Sequence, residues 1–364
     1  MAKKNKKPGT RIFGITSRVL MLIVAGLLFL SYGVMLVNPA KAWGLSLLGL
    51  LFVPLAVINL LLLLWAVKRL SKSFVIPLLA LLPAFFFIGR YYQLGSDKDY
   101  VPEDPTLKIV SYNVGRFSLN KPSSGVTNRH QCADSVFAFI RRQNPDIVCL
   151  QEFRISDINQ VRTYLREKMS GYKAEFYLFP SANGSAFGNV TLSRLPIKGK
   201  GKIKFDQSAN LAIYTDYEAN GRRFRVYNCH FESYNVSLPG IIRGLLRADK
   251  SVVAETGSKM KRSITRRPKQ VDEVFSDIEK CPVESFVCGD FNDNPMSYSY
   301  FRMKRGRRDT FRQAGKGFGA TYARLWPLLR IDYILIPNRF KAITHETPRV
   351  KFSDHYPVVS TVEL

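Results

Sequence analysis

The sequence predicts an α/β sandwich domain carried behind an N-terminal membrane segment. Three observations predict it. Acidic residues are absent from the first 92 positions, short β-branched apolar runs recur from residue 107 onward, and helical periodicity appears between some of those runs. An all-α or all-β chain would show one period only, so the mixture sets the class.

The first 92 residues carry 11 Lys and Arg, placed almost entirely at the margins of three apolar runs, Val19 to Val37, Trp43 to Val67 and Phe74 to Ile88. A spanning helix needs about 20 apolar residues. The first two runs meet that length, and the third meets it only with its Tyr91 and Tyr92 flank at an interface. The first run is followed by more apolar sequence rather than by a small-residue cleavage pattern, so about three transmembrane helices are expected over 1–92 in place of a signal peptide.

Loop charges give the orientation. The tail holds Lys3, Lys4, Lys6, Lys7, Arg11 and Arg18, the 38–42 loop holds Lys41 alone, and the next loop holds Lys68, Arg69 and Lys72. By the positive-inside rule the tail is cytoplasmic, and three spans place everything after Arg90 outside, as expected of a bacterial inner-membrane protein with an extracytoplasmic domain. A third run that only re-enters the bilayer would leave that domain in the cytoplasm.

A polar linker is expected over 93–106 and a single domain over 107–364. Beyond residue 92 lie 43 of the 54 Lys and Arg and all 28 acidic residues, a net charge of +15. A domain of that length buries a full core. Its basic balance beside a bilayer points to anionic partners, whether membrane lipids, a phosphorylated lipid or another polyanion such as nucleic acid, and does not choose among them. The five cysteines, Cys132, Cys149, Cys229, Cys281 and Cys288, lack metal-ligand spacing. Cys149, Cys229 and Cys288 fall inside apolar runs, where Cys packs as a small buried hydrophobe.

The expected strands, in order, are Leu107 to Val110, Ile147 to Leu150, Asn189 to Leu192, Leu211 to Tyr217, Phe224 to Tyr227, Ser285 to Cys288, Tyr333 to Ile336 and Val358 to Val362. Helical periodicity covers Ala133 to Arg142, Ile158 to Met169 and Lys269 to Ile278. The segment Ile241 to Lys269 concentrates Arg243, Arg247, Lys250, Lys259, Lys261, Arg262, Arg266, Arg267 and Lys269 among sparse apolar residues. It reads equally as a solvated insertion or as an amphipathic surface for anionic lipid. A second basic cluster, Arg302 to Arg308, reads as a solvated turn.

Polar and ionisable residues recur where these strands end. The first strand runs into Asn113, the second into Glu152, the fifth into His230, and the sixth into Asp290 and Asn292, while Asp332 opens the seventh and Asp354 and His355 precede the last. Strand ends let a rigid sheet aim side chains at a common cleft. Such a set suits displacement at phosphorus, which calls for a hard cation on oxygen ligands, a base for water and donors for the charge growing on the phosphoryl oxygens. Glu152 offers a carboxylate and Asn113 a neutral oxygen, better matched to Mg²⁺ or Mn²⁺ than to zinc. His355, with Asp354 beside it and Asp332 to orient the ring, forms an acid/base pair. Asp290 can orient or deprotonate water, and Asn292 and His230 can donate to the phosphate.

Seven strings in sequence order resemble the motif series of the endonuclease/exonuclease/phosphatase superfamily: SYNV, LQE, LSRLPI, NCH, GDFND, IDYIL and SDHYPV. The resemblance covers Leu107 to Leu364 and implies a four-layer α/β/β/α sandwich of the deoxyribonuclease kind. It implies Asn113 and Glu152 at the metal with Asp354 close by, Asp290 and Asn292 at the attacking water and phosphate, His230 as a phosphate-stabilising or acid residue, and His355 held by Asp332. It further implies a Mg²⁺-dependent hydrolase. Asn189 stands where relatives often carry a small or apolar residue, and reads as a strand-edge feature. His130 and His345 match no motif and read as surface residues, as do Glu232 and Glu346. Tyr322 and Trp326 read as core, with a cleft wall as the alternative.

The function expected is a membrane-anchored phosphoesterase acting on a lipid-linked phosphodiester or phosphomonoester. The alternatives are a nuclease acting on DNA or RNA and a catalytically inactive membrane-tethered binding module.

Overall fold

A computed structural model of the chain describes residues 8–95, 100–118, 128–234 and 250–364. It divides into two units, Met1–Gly89 with Met296–Tyr298, and Arg90–Pro295 with Ser299–Leu364.

The first unit is helical, with α1 (Pro8–Gly33), α2 (Trp43–Leu50), α3 (Phe52–Lys68), α4 (Val75–Leu81) and α5 (Phe85–Ile88). Over Gly14–Leu36 the mean hydropathy is 2.5 and only 28% of the apolar window is buried. The core helix of a soluble protein would be mostly covered. α2 and α3 meet at a bend of 58°. The cause is local: Pro54 sits in the first turn of α3, has no N–H to donate and crowds the carbonyl four residues back. The third run, Lys72–Ile88, is shorter, and a 3₁₀ turn containing Pro83 breaks it between α4 and α5. Among the described residues one helix is therefore long and apolar enough to cross a membrane, or two if the bent pair is a single span, against the three expected from composition. Within this unit the buried Asn59 amide of α3 donates to Val24 O of α1 at 3.2 Å and to Leu55 O at 2.9 Å, so both of its amide hydrogens are bonded.

The second unit starts at Arg90 rather than at the expected residue 93, because β1 (Tyr92–Gln93) pairs with β11 (Gly317–Phe318). Residues 96–99 of the expected linker lie outside the described residues. The remaining strands are β2 (Thr106–Asn113), β3 (Ile147–Ile155), β4 (Lys173–Pro180), β5 (Ala186–Ser193), β6 (Gly199–Lys204), β7 (Leu211–Ala219), β8 (Arg222–His230), β9 (Glu284–Asp290), β10 (Arg307–Asp309), β12 (Asp332–Pro337), β13 (Lys341–Glu346) and β14 (Val358–Glu363). They form two six-stranded sheets, ordered β13-β14-β2-β3-β5-β4 and β10-β12-β9-β8-β7-β6.

Each sheet is antiparallel except at one central pair, β2 with β3 and β8 with β9. A parallel pair needs a crossover, and helices fill both connections: α6 (Arg129–Gln143) in the first and α8 (Lys250–Lys280) in the second. Between them in sequence lies α7 (Val161–Lys168), while the short α9 (Tyr298–Lys304) and α10 (Thr310–Ala314) follow β9.

Alternation along the central strands builds a layered core. On β2, Leu107 and Ile109 join residues of the second sheet such as Phe224, Val226, Phe286 and Ile334, while Val110 and Tyr112 face the other way, among Val136, Phe137 and Ile140 of α6 and Leu165 of α7. Two sheets share one apolar layer and helices cover the outside, the four-layer arrangement expected from the motif series.

Several single-residue expectations are corrected. Asn189 is fully buried and donates to Leu211 O at 3.2 Å and Asn228 O at 3.0 Å, tying the first sheet to the second. Its neighbour in this polar seam, Asn228, donates to Leu150 O and Val190 O and accepts from Gln151 Nε2 at 2.7 Å. His345 is buried too, with Nδ1 2.8 Å from Thr310 Oγ1. So is Glu232, which accepts from Ser208 and Gln270. In the second basic cluster Arg307 is buried and donates to the carbonyls of Ser285, Met303 and Arg305. In the first, residues 250–269 begin a helix continuous with the one expected over Lys269 to Ile278, and Arg267 lies 2% exposed beneath it. Arg243 and Arg247 lie outside the described residues.

Candidate active site

Register sets the site. His230 ends β8 opposite Asp290 of β9, and Asp290 in turn lies opposite Asp332 of β12, so three neighbouring strands deliver three ionisable groups to one sheet end. In the other sheet Asn113 of β2 pairs with Gln151 of β3, which places Glu152 one residue further. The two sheet ends meet directly: Asn113 Nδ2 donates to Asp290 Oδ2 at 2.8 Å and to Glu152 Oε1 at 3.3 Å.

The backbone is strained at these points. Glu152 (φ 50°) and Asn292 (φ 52°) occupy the left-handed region, as do Arg116 and Phe117 just beyond β2. Non-glycine residues sit there at a cost of about 1–3 kcal/mol each, and such strain gathers where side chains must be aimed. Glu152 falls in a register shift between β3 and β5, which swings its carboxylate off the ladder. Gly289, before Asp290, has φ 135° and would put a Cβ 1.9 Å from Cys229 O, so the close pairing of β8 and β9 at the site requires glycine.

Asp290 is fully buried and pinned on both oxygens. Oδ1 accepts from the Asn292 backbone N–H at 2.8 Å, and Oδ2 accepts from Asn113 and from Asn292 Nδ2 at 3.1 Å. Burial, reinforced by the neighbouring Asp332, pushes its carboxyl up to about 7. His355 Nδ1 lies 2.9 Å from Asp332 Oδ2, and its Nε2 lies 3.8 Å from Asp290 Oδ2. Burial alone would lower the ring, but Asp332 and Asp290 outweigh it and hold the imidazole up to about 10, so it is an imidazolium at neutral pH. His230 differs. Burial lowers it, and among the described residues Nε2 has no hydrogen-bond partner, resting 3.7 Å from Glu152 and 3.8 Å from Asp290. Glu152 is raised by burial but falls below its ordinary range in balance, through His230, His355, Arg116 and the Asn113 hydrogen bond.

The structure brings Asn113, Glu152, His230, Asp290, Asn292, Asp332 and His355 together. Asp354 borders the same turn, its Oδ1 3.1 Å from the position a Cβ on Gly115 would take, and its Oδ2 3.9 Å from Arg324 Nε. Two residues are placed differently from expectation. Asn113 turns its amide nitrogen, not its oxygen, toward the carboxylates, and its Oδ1 accepts from Gly115 N at 3.0 Å. Asn292 spends its amide nitrogen on Phe231 O at 2.9 Å and on Asp290. Both asparagines thus position Asp290 within the protein.

The oxygen donors present suit a hard divalent cation. Glu152 and Asp354 both border the turn after Asn113, and no thiol lies among the site residues. A second grouping, Asp290, Asp332 and His355, places ligand atoms within 4.8 Å of one another.

Tyr322, read from sequence as core with a cleft wall as the alternative, packs its ring 5.3 Å from that of His355. Sequence reasoning missed two contributors: Arg116 faces Glu152 Oε2 at 3.3 Å, and Ser353 Oγ bridges Asn113 O and the His355 backbone N–H. The last was findable from its place inside SDHYPV.

A model described as the Endonuclease/Exonuclease/phosphatase family matches residues 110–355, and the chain belongs to that family. Its members are hydrolases of phosphoester bonds. A second model, described as a domain of unknown function (DUF8431), matches residues 11–91. No curated protein matches the chain.

Among solved structures the chain is similar to an endonuclease/exonuclease/phosphatase from Beutenbergia cavernae, at 20% identity and TM-score 0.51, covering 71% of this chain and 72% of that one. It is also similar to the catalytic domain of human Nocturnin, at 16% identity and TM-score 0.51, covering 73% and 96%. A Bacteroides thetaiotaomicron mannosyl-6-phosphatase matches at 16% identity and TM-score 0.50, covering 71% and 100%. At these identities the likeness is one of fold.

Proposed function

We propose that the protein is a membrane-anchored, divalent-metal-dependent phosphoesterase that hydrolyses a lipid-linked phosphoester. The observation that carries the catalytic part is the joined constellation of Asp290, His230 and His355 across two sheet ends. Asp290 is buried, oriented by three hydrogen bonds and poised near neutrality, as suits a base for water. His355, charged and fixed by Asp332, offers Nε2–H to a phosphoryl or leaving oxygen. His230, its imidazole lowered by burial, has Nε2 without a hydrogen-bond partner among the described residues and so offers it to the same group. Glu152 and Asp354 would hold Mg²⁺ or Mn²⁺, which when bound supplies a Lewis acid for the phosphoryl oxygens.

The lipid part rests on α1. A 23-residue apolar stretch that is largely uncovered by protein favours a bilayer as its surroundings. The basic face of α8, with Lys259, Lys261 and Arg262 near its exposed first half, supports attraction to anionic headgroups. A nuclease is the alternative, and the net charge of +15 beyond residue 92 suits nucleic acid as well as anionic lipid.

A panel assay with Mg²⁺ separates them, using bis-p-nitrophenyl phosphate, p-nitrophenyl phosphate, supercoiled DNA, sphingomyelin and a polyprenyl diphosphate. Turnover of a lipid substrate at a higher kcat/KM than DNA is the expected result. Ready DNA nicking with no lipid turnover would overturn the lipid assignment.

A further inference from the structure

Beside the candidate active site lies a cavity of about 560 Å³ whose wall includes Arg116, Arg129, His130, Arg154, Asp157 and Ser185. Three guanidinium groups and an imidazole therefore share one space with one carboxylate. The single carboxylate, Asp157, caps the following turn by accepting from Asn159 N at 2.9 Å and offsets one of the three guanidinium charges. Arg154 donates to neutral Ser185 Oγ at 3.2 Å, and Arg129 stands exposed in the first turn of α6. Three guanidinium groups around one cavity repel each other, and an anion with several oxygens converts that repulsion into charge-assisted hydrogen bonds. Phe117, Ile155 and Tyr164 add apolar surface to the wall, which strengthens the field inside.

Arg116 lines the cavity and also touches one of the catalytic-site residues. Its Nε faces Glu152 Oε2 at 3.3 Å while its guanidinium stacks 4.4 Å over the Phe187 ring, a fixed orientation for a long side chain. On β3, Arg154 lies two residues beyond Glu152. On its Glu152 side the site thus borders a second cationic site, for which the hydrolysis of one phosphoester has no use.

We propose that this cavity is an anion subsite for a second phosphate group, so that the substrate carries two phosphates, one at the catalytic residues and one among Arg116, Arg129 and Arg154. The inference rests on the preceding reading of the neighbouring residues as the hydrolytic site. The apolar α1 favours a lipid-borne diphosphate as the source over the successive phosphates of a nucleic acid.

The test compares full-length protein in detergent with Arg129→Gln, Arg154→Gln and the double variant, leaving Arg116 in place. Three probes are used: methylenediphosphonate binding by calorimetry with Mg²⁺ present, hydrolysis of bis-p-nitrophenyl phosphate, and hydrolysis of diacylglycerol pyrophosphate in phosphatidylcholine vesicles beside a single-stranded DNA oligomer. Losing two charge-assisted contacts weakens diphosphonate binding and lowers kcat/KM for the diphosphate lipid by about tenfold or more, while bis-p-nitrophenyl phosphate, with one phosphate, changes less than about threefold. Diphosphonate binding that is equal in all variants overturns the subsite. So does a parallel loss on bis-p-nitrophenyl phosphate, which would mark the arginines as general structural supports. A loss confined to the DNA oligomer overturns the lipid source. Tight diphosphonate binding that the variants lose, in a protein that hydrolyses none of the probes, upholds the subsite and sinks the catalytic reading instead. Because Arg129 is exposed, its single variant keeps the test open if Arg154→Gln fails to fold.

Discussion

At the residue scale, the chain buries charged and titratable side chains beyond those at the catalytic centre, each with a definite partner. Arg267 donates Nε to Glu232 O at 2.7 Å and pairs NH1 with Asp293 Oδ2 at 3.0 Å, while its guanidinium lies 4.3 Å over the Tyr234 ring. It thereby ties the loop after His230 to the loop carrying Asn292. Asp293→Ala leaves that cation buried and unpaired, and should cost about 3–5 kcal/mol of stability, read as a fall in the urea midpoint. An unchanged midpoint would show that water or another group replaces the carboxylate. His345 supplies a pH-dependent term. Burial holds its imidazole down to about 3, below its ordinary 6.5, so the fold keeps it neutral. Its contribution is complete above pH 6.5 and is lost as pH falls toward 3, at about 1.4 kcal/mol per unit, or about 2 kcal/mol by pH 5. His345→Gln should flatten the stability profile between about pH 6.5 and 5, and a slope identical to wild type would exclude His345 as its source.

At the scale of elements, the polar seam between the sheets decides how the two halves of the site align. Asn228 is buried and holds Leu150 O, Val190 O and Gln151, and Gln151 is the residue before Glu152. Asn228→Leu leaves these groups unpaired and is expected to destabilise the fold by about 2–4 kcal/mol, measured by chemical denaturation. A cost under about 0.5 kcal/mol would mean that the seam is not structural. The same comparison explains which strands were legible beforehand. All eight expected runs fall in inner strands, which are apolar on both faces. The strands that composition did not reveal include β13, β4, β10 and β6, the four sheet edges. The edge strand β6 reads GKGKIK, alternating between half-covered and exposed positions, and carries the lysines that discourage further pairing. Edge strands are selected against looking like strands, whereas the catalytic strings sit at the ends of central strands and stand out for that reason. What the strings could not reveal is the direction of an amide. Asn113 and Asn292 were identified by position, but only the hydrogen bonds show both of them serving Asp290.

At the scale of the whole molecule, one chain joins an apolar helical unit to a basic two-sheet domain. Charge absence and run length revealed the first unit, but its span count depended on Pro54 and Pro83, whose breaks in the second and third runs a composition window does not register. If α1 is a membrane anchor, the full chain should stay with the membrane pellet after an alkaline carbonate wash and be released only by detergent, and recovery in the carbonate supernatant would count against it. The central claim is that the two sheet ends together build a hydrolytic phosphoester site. Its most direct test is the kcat of the full-length protein on bis-p-nitrophenyl phosphate with saturating Mg²⁺, for wild type and Asp290→Asn, with circular dichroism showing that the variant is folded. Replacing a base that is buried, oriented and near neutrality should lower kcat by about 10²–10⁴-fold. A folded Asp290→Asn protein that turns over as fast as wild type would contradict the account.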